Sequence, residues 1–200
     1  MITSRLTIIT PAETHDLVSI AAARLALGVA NTSQDAAIAG WVRQASDVVA
    51  RHCGRVFALE TVSETFRLSA PVASVPLARA PVASITSIEE NGETLAADAY
   101  EFNVESGLVT RLGSGAPTLW PRGAVTIVYA GGYSLPEDLP DDIARASLVL
   151  VRHYHGGPAD PLLRRVELDG VGARDYFPPR DGTPPEVEAL LAPHRSLTVG

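Results

Sequence analysis

The sequence predicts an α+β protein: helices from the two ends of the chain form a core, an antiparallel β-rich subdomain is inserted between them, and a long arm follows near the C-terminus. Three observations carry this. Helical periodicity is concentrated before residue 55 and again at 140–155. Residues 56–133 are rich in Val, Thr, Ile and Phe, in short alternating runs broken by Pro, Gly and Asn. Residues 156–183 hold Gly, Pro, Asp and Arg at high density without a sustained period. The expected organisation is a helical part at 1–55, a β insert at 56–134, a core helix at 135–157, and an extended arm with a short final helix at 158–200.

Thr10-Pro11-Ala12-Glu13 combines a hydroxyl cap, a proline at the first helical position and a glutamate three residues after the cap. This predicts a helix over 11–27, with Leu17, Ile20, Ala21 and Leu25 inward and Gly28 as its stop. A second helix places Ile38, Trp41, Val42, Ala45, Val48, Val49 and His52 on one stripe and closes at Gly54. In the β block, Asn91-Gly92 tolerates positive φ and predicts a tight hairpin between 84–90 and 94–95. Further runs at 100–104, 108–112 and 124–129 bring the expectation to five or six strands. Pro140-Asp141-Asp142 opens a helix with Ile143, Ser147, Leu150, Val151 and Tyr154 inward, and Pro184-Pro185-Glu186 opens a short one through Leu191.

Composition narrows function. With 16 Lys plus Arg against 23 Asp plus Glu the net charge is −7, the wrong sign for a protein whose main task is gripping phosphates. The single cysteine, Cys53, excludes an internal disulfide and a thiolate zinc cluster, and fits reducing cytosol. The N-terminal run is too short for a secretion signal, and no stretch reaches the roughly 18 apolar residues of a membrane span.

The chemistry-bearing residue types do not assemble into a catalytic or metal-binding pattern. His52 and Cys53 are adjacent, and His153 and His155 are two apart; on a helix both pairs diverge, whereas ligands or a nucleophile and base recur at three or four. Asp141 and Asp142 are explained by a helix's first turn. The glycines at 113–115 and 170–172 lack the context of a phosphate cradle. No catalytic residue, metal or cofactor is expected. The arm holds Arg164, Arg165, Arg174 and Arg180 interleaved with acids; these guanidinium forks suit carboxylates of a neighbouring chain. Trp120, Tyr176 and Phe177 lie beside prolines, either as core or as interface anchors.

The order of signals resembles the bacteriophage head-tail connector family, shared by tailed phages and gene transfer agents. The resemblance rests on a helix ending in Gly54-Arg55, then Pro81-Val82-Ala83-Ser84-Ile85, Trp120-Pro121 and Val128-Tyr129-Ala130-Gly131-Gly132-Tyr133. Leu139-Pro140, His153-Tyr154 and the closing run from Val187 to Arg195 continue it, so that it spans about residues 10–195. It implies a structural adaptor without catalytic residues, assembled as a ring of about twelve copies between the portal protein and the next neck or tail-completion protein. DNA would pass through the lumen without specific binding, and a net-negative lumen would favour that passage. The arm residues Arg164, Arg165, Arg174, Tyr176, Phe177 and Arg180, with Leu190, Leu191 and Arg195 of the C-terminal end, are the candidate contacts to portal or neighbour. The rival readings are a small hydrolase built from dispersed Asp and His, and a ligand-binding module in the β block.

Overall fold

The computed structural model describes residues 2–156, 165–168, 172–175 and 183–195, with backbone alone for the two short middle ranges. The chain forms two units: Met1–Thr14 with Val56–Leu135, and His15–Arg55 with Pro136–Gly200.

The first unit is built of strands β1 (Ile2–Thr10), β2 (Glu60–Leu68), β3 (Ser74–Pro76), β4 (Val82–Glu90), β5 (Glu93–Thr94), β6 (Tyr100–Phe102), β7 (Leu108–Gly113), β8 (Ala116–Thr118) and β9 (Gly123–Gly131). A five-stranded antiparallel sheet runs in the order β1-β2-β9-β4-β5, and a four-stranded one in the order β3-β7-β6 with β8 on β7. Alternation decides which face is inside. In β2 the residues Glu60, Val62, Glu64, Phe66 and Leu68 are buried, and their neighbours in sequence are not. Val62, Phe66, Ile127 and Tyr129 from the larger sheet join Val75 and Val109 from the smaller in one buried cluster. Trp120 is fully buried there and donates its indole N–H to the Val109 carbonyl at 3.1 Å, which makes it core and not an interface anchor.

The expected hairpin is present. Asn91 and Gly92 take positive φ between β4 and β5, and the Asn91 side-chain oxygen accepts from the Ala124 N–H at 2.9 Å, tying the turn to the start of β9. The block between 56 and 133 holds eight strands, not five or six, because β3, β5 and β8 are only two or three residues long and give no readable period. The Gly131-Gly132 pair has a steric cause: a side chain on Gly131 would strike the Arg79 carbonyl, and one on Gly132 (φ +110°) the Ala58 carbonyl.

The second unit holds α1 (Ile20–Leu27), α2 (Asp35–Cys53), α3 (Asp141–Gly156) and α4 (Pro185–Leu191). Ile38, Val42, Ala45 and Val49 of α2, Ile143, Ala146, Leu150 and Val151 of α3, and Val187 and Leu191 of α4 are buried at helical spacing. The first helix differs from expectation. Thr10 ends a strand instead of capping a helix; the cap is Ser19, whose hydroxyl accepts from the Ala22 N–H at 3.1 Å. Leu17 and Val18 are buried ahead of the helix, and the Leu17 N–H donates to the Ser46 hydroxyl at 2.9 Å. The helix is therefore phased on Ala23, and Leu25, expected inside, is 84% exposed.

The arm, expected to lack regular structure, contains strands β10 (Arg165–Leu168) and β11 (Gly172–Asp175), paired antiparallel. Arg164, Tyr176, Phe177 and Arg180 lie outside the described residues, and of Arg165 and Arg174 only the backbone is described.

Candidate functional site

In the first unit the polar chemistry is internal. The Tyr129 hydroxyl donates to Glu64 Oε2 at 2.9 Å, and the Ala78 N–H reaches the same oxygen at 3.0 Å. The Arg79 N–H donates to the Tyr129 hydroxyl at 3.1 Å, and its Nε to Glu60 Oε2 at 2.8 Å. Burial first, and then the adjacent Glu64 carboxylate, push the Tyr129 phenol far up from its ordinary value. With Glu64 only 1% exposed and its Oε2 occupied by two donors, this network secures the backbone at 78–79 and has no opening for a substrate. Sequence reasoning missed it. The signal was there: in Glu60-Thr61-Val62-Ser63-Glu64-Thr65-Phe66 the period of two puts both glutamates on the face of Val62 and Phe66.

In the second unit His153, His155 and His194 each have partners other than the cysteine. The Cys53 side chain is buried, and burial pushes its thiol up, the reverse of what a nucleophile needs. His155 sets its ring edge-on to Trp41 at 5.3 Å between centroids, and His153 contacts Tyr154. His194 Nε2 meets Asp142 Oδ2 at 2.5 Å. Burial alone would raise the Asp142 carboxyl, but the His194 ring and the Ile143 N–H outweigh it and hold it below its ordinary value. Among the described residues no group of three His, Cys, Asp or Glu is arranged to hold a metal ion, and no helix is long and apolar enough to cross a membrane.

Of the expected contact residues at the C-terminal end, Leu191 is fully buried within its own chain, Leu190 is half-buried and Arg195 is exposed. The surface of the first unit carries features not anticipated from sequence. An open cleft of about 410 Å³ is lined by Thr3, residues 67–69, and Arg122 with residues 123–124. Another, of about 350 Å³, lies among residues 10–14, Leu59, Thr61, Ala130 and 133–135.

The profile of the head completion protein family matches residues 16–197 of the chain. The chain belongs to the head completion protein family. Head completion proteins are structural parts of a virion, and this one is not an enzyme. No curated protein matches it. Among solved structures, a chain in the neck of an empty GTA particle computed with C6 symmetry is similar at 19% identity and a TM-score of 0.61, over 98% of this chain and 97% of the other. A chain of the virion of a native gene transfer agent (GTA) particle gives 20% identity and 0.57 over the same shares. A third, in the neck of a native GTA particle computed with C12 symmetry, gives 22% and 0.55, again over 98% and 97%. The likeness extends over both units, so the head completion fold of this chain is shared by those neck and virion chains along nearly their full length.

Proposed function

We propose that this head completion protein is a structural adaptor in the neck of a tailed phage or gene transfer agent particle. It forms a ring of about twelve copies between the portal protein and the next neck or tail-completion protein, around a lumen through which DNA passes without specific binding. The family membership carries this reading. The likeness to neck chains in particles of twelvefold and sixfold symmetry supports the ring, and the excess of seven negative charges suits a channel that must not hold phosphates. The arm at 158–182, with Arg164, Arg165, Arg174, Tyr176, Phe177 and Arg180, is its contact to portal or neighbouring subunit, joined by the exposed Arg195 and half-buried Leu190.

Electron microscopy of the purified chain, with and without its portal protein, tests the reading. Rings stacked coaxially on the portal are expected, and a chain that stays solitary with portal present would overturn it. Deleting residues 158–182 should leave both units folded by circular dichroism and abolish incorporation into particles. Normal incorporation would remove the role given to the arm.

A further inference from the structure

We infer that copies of this chain meet through opposite edges of the five-stranded sheet, the β1 edge of one against the β4–β5 edge of the next. The inference rests on the ring reading above and assigns the surfaces that close the ring.

The first observation is the bare end strand. Among the described residues β1 pairs with β2 on one side and with no strand on the other, and of its nine residues only Leu6 is even half-buried. Ile2 and Ile8, opposite Leu68 and Val62, point to the core face of the sheet yet remain 40% and 47% exposed. A long end strand with an uncovered apolar row is a surface that proteins ordinarily cover or blunt.

The second observation is charge. On the outer face of the same edge, Arg5 lies opposite Thr65 and Arg67 opposite Thr3, which makes the two arginines diagonal neighbours across the ladder. Arg122 shares the adjoining cleft with Arg67. All three are exposed, and among the described residues none has a carboxylate partner. In a chain with a net charge of −7, an arginine cluster free of acids is a place for an anionic partner.

The other end of the sheet supplies the complement. Glu89 on the outer face of β4, and Glu93 on β5, which lies opposite Glu90 on the core-facing side, are both exposed at this edge and have no cationic partner among the described residues, whereas Glu90 itself is held by Arg111. Two edges of opposite sign on one body make a heterologous contact, which repeats head to tail and closes as a ring. Like-charge repulsion penalises the pairings of β1 with β1 and of β4 with β4. The register of β4 against β9 slips between Val82 and Ser84 and again between Ile85 and Ser87, irregularities that interrupt a regular ladder, so the contact runs through side chains and not as a continued sheet. DNA phosphates are the other anionic partner for the same arginines, but phosphate binding gives no use to the apolar row of Ile2 and Ile8 on the other face of this edge, and a second copy does.

The test uses full-length chain, with the double variants Arg5→Glu/Arg67→Glu and Glu89→Arg/Glu93→Arg, each checked for folding by circular dichroism and thermal unfolding. Negative-stain microscopy and mass photometry with portal protein present count rings. Each variant alone should form at least about ten-fold fewer rings than wild type, since like charges then face each other at every contact. An equimolar mixture of the two should restore rings, because alternating copies again oppose Arg to Glu at every interface. Rings from either variant alone at the wild-type level, or no rescue in the mixture, would overturn the inference and leave the ring reading standing. Normal rings of the Arg5→Glu/Arg67→Glu variant in particles that leak packaged DNA would assign the cluster to nucleic acid and also overturn it. No rings from wild type would remove the ring reading itself and this interface with it.

Discussion

The two units bury polar groups in opposite ways. The sandwich encloses two carboxylates, Glu60 and Glu64, and satisfies them with Arg79, Tyr129 and the Ala78 N–H, partners drawn from two separate segments. The helical unit buries short hydroxyls: Ser46 and Ser147 donate to the carbonyls of Val42 and Ile143 in their own helices, at 2.8 and 3.0 Å. A carboxylate network concentrates stability in a few atoms whose loss strands several others, whereas an apolar helical stripe spreads it over many contacts. The sandwich should therefore fail at single polar deletions, and the helical unit by degrees. Trp120 in one and Trp41 in the other allow each to be followed by fluorescence in a Trp41→Phe or Trp120→Phe background.

The largest effect is expected from Glu64→Ala. It leaves the Tyr129 hydroxyl and the Ala78 N–H without their acceptor in a site 1% exposed, and should cost about 3–5 kcal/mol in urea unfolding of the sandwich. Glu64→Gln keeps an acceptor oxygen and should cost clearly less. If the two cost the same, the network contributes by shape and the contrast between the units breaks.

Leu150→Ala is next. Its fully buried side chain on α3 leaves a cavity, for about 2–5 kcal/mol, read on the Trp41 signal with the sandwich transition unmoved. Ser46→Ala should cost about 1–2 kcal/mol, because the Ser46 hydroxyl also accepts the Leu17 N–H that fixes the entry to α1. A Ser46→Ala cost equal to that of Glu64→Ala would erase the distinction.

What was legible in the sequence follows the same divide. The long helices α2 and α3 and the final helix α4 were read close to their observed bounds, because a stripe repeated over several turns is a local signal reinforced at each turn. The strand β1 was missed, since Ile2, Leu6 and Ile8 gain meaning only from their pairing with β2, more than fifty residues on. Leu25 was placed inside for a related reason: Thr10-Pro11 has the composition of a cap, and Ser19, which is the cap, bears no such flag. The absence of a catalytic pattern agrees with the structural family to which the chain belongs. The surface that carries our inference was invisible, because Arg5 and Arg67 lie sixty-two positions apart and the β1–β2 register makes them neighbours.

The smallest effect, and one that probes an exception to the helical unit's apolar rule, concerns His194 and Asp142. Here a charged pair does join distant segments, the turn after α4 and the first turn of α3, as the carboxylates do in the sandwich, but it is partly open to water, with Asp142 38% exposed. Solvent screening should hold its contribution to under about 1 kcal/mol. Because the folded Asp142 carboxyl lies below its ordinary value of 3.8, that contribution is complete above this value and is lost as pH falls through the folded one. The helical unit of wild type should thus lose stability relative to an Asp142→Asn variant as pH is lowered from about 5 toward 2, a window set by the carboxylate reference range. A difference that does not change across the acid window would show that the pair acts as a neutral hydrogen bond, and would return the helical unit to a purely apolar account.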